Sequence, residues 1–391
     1  MEIERRSAFR LLLSALAIGK AGMAIGKQEA RPHSTAIQVG LGRAIQTISE
    51  AARLVQDGGI VEVDAGDYLA DVAVWDKRNL TVRSVGGRAR LIANGAAAEN
   101  KAIWVIRSEQ MEIEGFDFKG AAVPSRNGAG IRLEKGTLLV RNCVFIGNEN
   151  GILTGNNQDT RLLIEDSEFG YNGFGDGQSH NLYAGEIAYL SVTGSYFHHA
   201  KVGHLLKTRA AVNDIRYNRL TDEQDGGASY ELEFAAGGVA YVTGNIIQQS
   251  AFTNNPHLIS FGAEGYKWSK NELYLTHNTL VDDRPQGGVF LRVRPGASMV
   301  QVENNILVGN GKDEPGTAGP TRRNFHAPQQ DFIASRRDYR LSQRARLLAN
   351  AVPLEPVNGA DLAPSRQFTL PRGTKQLAAT PKLMGAVQTA D

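Results

Sequence analysis

A short pattern recurs eight times between residues 113 and 307, and it limits the folds that this chain can adopt. The copies have an apolar residue, two variable residues, in all but the first an Asn, Ser or Cys position, and a final apolar residue. The copies are IEGFDF at 113, VRNCVF at 140, IEDSEF at 164, VTGSYF at 192, IRYNRL at 215, VTGNII at 242, LTHNTL at 275 and VENNIL at 302. Their starts lie 23 to 33 residues apart, which argues against a helical repeat of fixed length and indicates short strands joined by loops of variable length.

A second short segment with apolar residues at alternate positions follows these copies, as is typical of a half-buried strand. The segments are GIRLE at 130, GILTG at 151, NLYAG at 181, HLLKTRA at 204, YELEF at 230, LISFG at 258 and VFLRV at 289. Two to three short strands per repeat predict an all-β parallel β-helix. One such coil cannot bury its apolar face alone, so stacked coils share one core. The high glycine content, 43 of 391 residues, agrees with many turns.

One position of the repeat carries small polar side chains that are expected to hydrogen-bond along the helix axis as a ladder. These are Ser167, Ser195, Asn218, Asn245, Asn278 and Asn305. Cys143 occupies the same position, which predicts that it is buried and unreactive. It is the only cysteine in the sequence, so no disulfide can form within the chain.

The two ends predict structures that close the helix. The segment LGRAIQTISEAARLVQDGG has apolar residues at helical spacing and ends in glycine, which predicts a capping α-helix near residues 41–56. Such a helix would cover the strand edge of the first coil. Residues 36–310 are predicted to form the β-helix domain, and residues 311–391 a closing loop, a last strand and a C-terminal tail packed on it.

Two groups of motifs resemble the pectin-lyase-like superfamily of right-handed parallel β-helix proteins. DAGDY at 64 is similar to the first-coil turn of that group, usually written Pro-Gly-x-Tyr, with Ala65 where proline is common. DYRLSQRARLLANA at 338 and MGAVQ at 384 resemble the strand and tail that often close bacterial members. The resemblance covers about residues 36–390 and implies a right-handed parallel β-helix with an N-terminal capping helix. It is specific for the fold and weak for the reaction.

The N-terminus has the features of an export signal. Basic residues precede an apolar run, and residues 1–26 resemble a twin-arginine signal through Arg5 and Arg6 followed by Phe9. The pattern departs by one extra residue before the phenylalanine and by Lys20 within the apolar stretch. These residues predict export from a bacterium to the periplasm or the medium. The run is too short to span a bilayer, so no membrane insertion is expected. The net charge of +2 gives no reason to expect nucleic acid, and we expect a monomer.

The segment GHLLKTRA at 203 places two cations, Lys207 and Arg209, on one face of a strand. Aligning the second strands by their inward apolar residue predicts an outward column that rises in steps of about 5 Å. Its members are Tyr183, Lys207, Glu233, Ser260 and Arg292. Arg209 would lie in a hollow beside small residues, and the register also aligns His180, His204 and His257, with Tyr230 between them.

Cations on a long, shallow face suggest an anionic chain, and a polysaccharide that contains uronic acid fits both properties. Cleavage of a uronate by β-elimination requires that the carboxylate be neutralised, a proton removed and the leaving oxygen protonated. We assign carboxylate binding to Arg209 and proton transfer to Tyr183 and Lys207, without deciding which is the base. Some polysaccharide lyases on the resembled fold use Lys with Arg or Tyr. Substrate-binding roles are predicted for His180, Asn181, His204, Glu231, Glu233, His257, Ser260, Glu264 and Arg292.

Four alternatives remain at this point. A tight Lys207–Glu233 pair would raise the pKa of the lysine and favour Tyr183 as the base, or it would simply stabilise a solvated sheet. Glu231 and Glu233 lie about 7 Å apart if both point to one face, which would suit a glycoside hydrolase. A uronate C5-epimerase uses nearly the same proton chemistry as a lyase, and a non-catalytic carbohydrate-binding β-helix is the contrasting class.

A metal is not required by any motif. The loop TDEQDGG at 221 offers Asp222, Glu223 and Asp225 to Ca²⁺, but its spacing matches no defined calcium loop and a solvated turn is the simpler interpretation. The aspartate cluster and the Arg-x-Pro-x-x-Arg pattern of pectate lyases are not evident. The sequence therefore predicts a secreted lyase for an acidic polysaccharide, with Ca²⁺ left open as a cofactor.

Overall fold

The chain folds into a right-handed parallel β-helix, as the repeat predicted. The structure is a computed structural model, and it describes residues 36–253, 255–313, 323–331 and 339–388. The predicted export signal at residues 1–26 lies outside the described residues. Among the described helices, none is long and apolar enough to cross a membrane.

Two parallel sheets form the walls of the helix in the described ranges, and a small antiparallel pair, Arg366–Phe368 with Thr374–Gln376, lies outside them. The ten-stranded sheet consists of Ala73–Trp75, Ala102–Ile106, Ala129–Leu133, Asn150–Thr154, Leu182–Ala184, Leu206–Thr208, Leu232–Phe234, His257–Phe261, Val289–Val293 and Lys312–Asp313. All seven predicted second strands belong to it.

The nineteen-stranded sheet supplies the other two walls and bends in each repeat. Its strands are Ile37–Val39, Ile60–Leu69, Leu80–Ile92, Gln110–Glu114, Phe116–Lys119, Thr137–Arg141, Val144–Ile146, Arg161–Glu165, Glu168–Gly170, Tyr189–Thr193, Tyr196–His198, Val212–Arg216, Arg219–Thr221, Val239–Thr243, Ile246–Gln249, Glu272–Thr276, Thr279–Asp282, Met299–Gly309 and Arg323–Ala327.

The recurring pattern marks this bend. In every copy the second variable residue has a positive φ, between 48° and 87°, and glycine occupies the position in three copies. The left-handed region turns the chain sharply, and glycine, asparagine and aspartate tolerate it best. These residues are Gly115, Asn142, Asp166, Gly194, Tyr217, Gly244, His277 and Asn304. The residue that follows therefore enters the interior at the corner, and it is small or an amide in every copy but the first, where it is Phe116.

The predicted ladder is present at these corners. The backbone N–H of Asn218 donates to Asn245 Oδ1 at 2.9 Å, and the same bond links Asn245 to Asn278 at 2.9 Å and Asn278 to Asn305 at 2.8 Å. The ladder continues to Asn324, which the repeat did not predict. Cys143 is buried at the same position, as predicted, and burial raises the pKa of its thiol to about 12.

Aromatic rings fill the interior between the sheets. Phe118, Phe145, Phe169 and Phe197 are fully buried and stack along the axis with centroid distances of 4.8, 4.6 and 4.5 Å. Parallel strands in register bring equivalent side chains one above another, and each ring pair adds about 0.5–1.5 kcal/mol beyond the area it buries. The interior stack fixes the coils that carry the surface residues described below.

The N-terminal helix is shorter than the predicted range of 41–56. It spans Ile48–Leu54, and Thr47 caps it by accepting a hydrogen bond from the Glu50 N–H at 3.2 Å. Residues 41–47 form turns instead, because the cap fixes the first helical residue at Ile48. Ile48, Ala51 and Ala52 join the core, so the helix does cover the first coil.

The C-terminal region differs from the prediction in two respects. Parallel pairing continues past residue 310, since Lys312–Asp313 and Arg323–Ala327 extend both sheets. The segment 338–351, expected to contain the last strand, holds an α-helix at Gln343–Leu348, preceded by the short 3₁₀ helix Gln329–Asp331. Ser342 explains the helix, because its side chain accepts a hydrogen bond from the Ala345 N–H at 3.2 Å and acts as an N-cap.

Residues 352–388, here called the C-terminal strap, lie along the nineteen-stranded sheet. The Val352 N–H donates to Asn304 Oδ1 at 3.0 Å, and Arg372 donates to Glu168 at 2.7 Å, several coils closer to the N-terminus. The chain then returns, and the Gly385 N–H donates to the Asn304 carbonyl at 2.8 Å. The predicted packing of the tail on the helix is therefore present.

Candidate active site

The ten-stranded sheet carries the predicted column of outward residues in the predicted register. Tyr183 pairs with Lys207, Lys207 with Glu233, Glu233 with Ser260, and Ser260 with Arg292. The inward residues Leu182, Leu206 and Leu232 are fully buried beneath them. The same outward position continues toward the N-terminus through Leu153 and Arg132.

A pocket of about 340 Å³ opens over the N-terminal part of this column. Four predicted site residues line it: His180, Tyr183, Lys207 and Arg209. The remaining lining is supplied by earlier coils and by two loops, through Asn127, Arg132, Asn150, Leu153, Thr154, Gly155, Asn156 and Gln178. The pocket is thus rich in hydrogen-bonding groups and contains three side chains that carry positive charge.

Two carboxylates hold the cations Lys207 and Arg209. Lys207 Nζ lies 3.2 Å from Glu233 Oε2 and 2.9 Å from Glu264 Oε1. Arg209 donates from Nε and Nη2 to the two carboxylate oxygens of Glu264, at 2.7 and 2.8 Å. Glu264 comes from a loop that leaves the sheet after the strand His257–Phe261. It thereby bridges Lys207 and Arg209.

These contacts set the charge states of the network. Burial alone would lower the pKa of Lys207, but the nearby carboxylates of Glu233 and Glu264 outweigh it, and the pKa is raised. Burial alone would raise the pKa of Glu264, but hydrogen bonds from Arg209 and Lys207 hold it at about 2. Burial raises the pKa of Glu233, with Lys207 opposing the rise. Lys207 is therefore protonated at neutral pH.

Tyr183 lies against both a cation and a neutral ring. The Arg209 guanidinium carbon is 4.9 Å from the centroid of the Tyr183 ring, in a cation–π contact. The centroid of the His180 ring is 5.6 Å away on the pocket wall. A guanidinium at this distance attracts a phenolate more strongly than a phenol, because the phenolate carries a negative charge.

The aligned histidines form a stack with Tyr230. The rings of His180 and His204 are parallel at 4.5 Å, Tyr230 lies 5.0 Å from His204, and His257 lies 6.2 Å from Tyr230. The His204 N–H donates to His180 Nδ1 at 2.9 Å, which leaves the proton of the neutral His180 ring on Nε2. Burial, with help from Lys207 and Arg209, lowers the pKa of His180 to about 3, and burial also lowers that of His204. His180 is therefore neutral in the pocket.

Comparisons with known proteins agree with this architecture. The crystal structure of pectate lyase Pel9A matches with a TM-score of 0.58 over 91% of this chain and 97% of that one, at 13% sequence identity. This chain therefore shares the parallel β-helix fold of that enzyme. No protein-family model matches the sequence, and no curated protein matches it. At this identity the likeness describes the fold of the chain and leaves its reaction to the residues of the pocket.

Two predicted substrate-binding residues point into the protein instead of the pocket. Glu231 and Asn181 are fully buried at equivalent positions, next to the first residues of their strands. The chain bends immediately before Leu232, so the alternation of inward and outward residues does not extend back to Glu231. Asn181 hydrogen-bonds the carbonyl of His198 at 2.8 Å. The pair Glu231 and Glu233 expected for a hydrolase is consequently not assembled on the surface.

Four other predicted residues lie beyond the pocket, two in the histidine stack and two in the column. His204 and Ser260 are buried in the sheet surface, and Ser260 Oγ has no hydrogen-bond partner among the described residues. His257 Nδ1 lies 2.8 Å from the Asn255 side-chain oxygen. Arg292 ends the column, three coils from Lys207. These four residues do not line the pocket of the described structure.

The carboxylates considered for calcium do not converge. Asp222 is buried and accepts a hydrogen bond from the Ala228 N–H at 2.8 Å, whereas Glu223 accepts from Tyr196 at 2.8 Å. Asp225 extends to His199 instead, at 3.1 Å. Within the described ranges no group of three or more His, Cys, Asp or Glu side chains is arranged to hold a metal ion. We therefore derive no step that requires Ca²⁺.

Several lining residues were missed by the sequence analysis. Arg132 follows Ile131 in the strand Ala129–Leu133, in the same outward position as Tyr183 two strands later. The segment GIRLE contained the signal, because aligning it with the later strands would have placed the arginine in the column. Asn127 and Gln178 lie on loops that approach the pocket, and no local pattern identifies them.

Proposed function

We propose that this protein is a lyase that cleaves a uronate-containing polysaccharide by β-elimination in the pocket around Tyr183. The observation that supports this most directly is the combination of a phenol, a protonated lysine and a neutral histidine beside two arginines in one pocket. Elimination requires a base, an acid and a site that stabilises negative charge on the uronate. The pocket contains a candidate for each task.

Tyr183 is the proposed base, because Lys207 is already protonated and therefore has no lone pair to offer. The nearby Arg209 guanidinium favours the phenolate that must form before the uronate loses its C5 proton. The electron pair of the broken C5–H bond forms the new double bond between C4 and C5. The bond from C4 to the leaving oxygen then breaks, and Lys207 donates a proton to that oxygen.

Arg209 is proposed to neutralise the carboxylate of the reacting uronate. Its Nε and Nη2 contact Glu264, and the guanidinium has further N–H donors on Nη1. A carboxylate bound there gains a charge-assisted hydrogen bond in a partly buried site. Neutralising the carboxylate increases the acidity of the C5 proton and stabilises the charge that develops as it leaves.

A uronate C5-epimerase remains the alternative on the same residues, because it begins with the same proton removal. The two reactions differ in what happens next: a lyase expels the leaving group, whereas an epimerase returns a proton to the opposite face. We further propose that the protein acts outside the cytoplasm, on the basis of the basic and apolar pattern of residues 1–26.

The proposed lyase activity is tested by the ultraviolet absorbance of the C4–C5 double bond. The mature protein is incubated with alginate, pectate, glucuronan, glycosaminoglycans and bacterial exopolysaccharides. We expect absorbance to rise with at least one polymer, and the rate to fall by about 10²-fold or more in Tyr183→Phe. Tyr189→Phe is the matched control, because Tyr189 lies on the nineteen-stranded sheet.

The other results are equally informative. Absorbance that rises equally in Tyr183→Phe contradicts the assignment of the base. Exchange of deuterium from solvent into the polymer without new absorbance identifies an epimerase. New reducing ends without absorbance indicate hydrolysis and overturn the proposal. Absence of all three signals with every polymer also overturns it, and favours a binding protein.

A further inference from the structure

Arg132 differs from the other two cations of the pocket in having no carboxylate partner. Among the described residues its side chain donates no hydrogen bond and has no acidic oxygen within 4 Å, whereas Lys207 and Arg209 contact Glu233 and Glu264. Its Nε atom is buried without an acceptor. This Nε–H group has lost its hydration without gaining a hydrogen bond.

The acids nearby have other partners. Glu134, two residues along the chain, contacts Lys101 at 2.6 Å and Arg107 at 2.5 Å. Burial lowers the pKa of Arg132, with Glu134 opposing this only at a distance. An anion that entered the pocket would therefore meet a cation that is available for pairing.

Packing explains the position of the Arg132 methylene groups but not that of its guanidinium. The outward neighbours in register are Val105 and Leu153, which belong to an apolar cluster on the sheet surface. The methylene groups of an arginine commonly cover such a surface while the charged end reaches water. Here the charged end borders the pocket, together with the polar side chains of Asn150 and Thr154.

The register gives the distance between the cations along the helix. Three strand steps separate Arg132 from Lys207, through Leu153 and Tyr183. At about 4.8 Å per step, their Cα atoms lie about 14 Å apart. An extended polysaccharide that follows the axis would span this distance with several sugar residues.

We propose that Arg132 binds the carboxylate of a second uronate residue, in a subsite separate from the reacting sugar bound near Arg209. This inference rests on the proposed function for the identity of the ligand as a polyuronate. The chain then lies parallel to the helix axis, and the enzyme prefers polymers with carboxylates on both sugars over polymers with only one.

The test is affinity electrophoresis in native gels that contain pectate, alginate or glucuronan, with sulfated galactan as the comparison. Arg132→Met keeps the apolar stem over Val105 and Leu153, and we expect it to weaken binding about 10- to 100-fold by removing a charge-assisted hydrogen bond. Arg132→Lys should restore part of the affinity. Arg161→Met is the matched control, because Arg161 lies over Tyr189 on the nineteen-stranded sheet.

A kinetic measurement separates this subsite from the chemistry. Where a substrate is cleaved, Arg132→Met should raise KM and leave kcat on long polymers nearly unchanged, because the residue does not touch the reacting sugar. Unfolding midpoints of the three variants should match within error. If Arg132→Met loses affinity only in step with a lower unfolding midpoint, Arg132 merely covers the sheet and binds no carboxylate.

The inference and the proposed function fail in different ways. Binding that is equal in wild type and Arg132→Met overturns the subsite even if absorbance shows elimination. Retardation by sulfated galactan alone, or by no carboxylated polymer, overturns it as well. Binding to a polyuronate that is lost in Arg132→Met, without any elimination, supports the subsite and contradicts the lyase.

Discussion

His180 should make the stability of the protein depend on pH in a way that a single substitution removes. The pKa of its ring is about 3 in the folded protein, against an ordinary value of 6.5. The unfolded chain therefore binds a proton first as the pH falls, and the folded state loses stability from about pH 6.5 downward until the pH reaches about 3. On acidification from pH 8 to pH 5, protonation linked to this ring alone should lower the free energy of unfolding by about 2 kcal/mol.

The groups around His180 determine the direction of this effect. Burial is the largest cause, and the cations Lys207 and Arg209 add to it, while Glu264 opposes it. Buried acids with raised pKa values, such as Asp222, change stability in the opposite direction over the same range. The absolute pH dependence of the protein is consequently a sum, and only a comparison with a variant isolates His180.

The comparison uses His180→Gln, which retains an acceptor for the His204 N–H but does not titrate. Urea unfolding is followed at pH 8 and pH 5 by the fluorescence of Trp75 and Trp104, which are fully buried. We expect wild type to lose about 2 kcal/mol more than the variant on acidification. An exposed histidine, His326, supplies the control His326→Gln. Equal losses in wild type and His180→Gln would refute the reasoning.

Three further substitutions test other parts of the structure. Glu264→Gln removes the carboxylate that bridges Lys207 and Arg209 and that would compete with a substrate carboxylate for these cations. We expect about tenfold tighter binding of polyuronate in affinity gels. Weaker binding would contradict this competition. Asn278→Ala leaves the Asn245 N–H without its acceptor and should lower the free energy of unfolding by about 1–3 kcal/mol in urea, whereas an unchanged midpoint would contradict the ladder. Gly151→Ala would push a methyl group against the Asn181 carbonyl oxygen, so a drop in melting temperature corresponding to about 1–3 kcal/mol is expected, and no drop would be inconsistent with the close packing.

The sequence predicted the fold and the register because both depend on local patterns. The alternation of apolar residues in strands such as Leu206–Thr208 fixes which side chains point outward, and the corner residues fix where each strand begins. Tyr183, Lys207 and Glu233 were therefore aligned correctly without a structure. The stack of His180 and His204 follows from the same register.

The predictions that differ from the structure concern residues outside the regular alternation of inward and outward side chains. Glu231 and Asn181 precede the strands in which they were counted, and the bend there turns both into the interior. Glu264 was predicted to bind substrate, but its contact with both cations depends on the path of a loop that no periodicity describes. Arg132 was missed because the column was aligned only from the strand of Tyr183 onward, and Arg132 lies two strands earlier.

The C-terminal strap has a consequence for how this protein is made. A stack of coils bound only to their neighbours can fold progressively as the chain leaves the ribosome. Here the last residues bind coils that were synthesised much earlier: Arg372 contacts Glu168, and Gly385 contacts Asn304. These contacts cannot form until residues 352–388 have left the exit tunnel. The nascent helix therefore remains without its strap after its coils have been synthesised, which extends the time in which the chain stays incompletely closed.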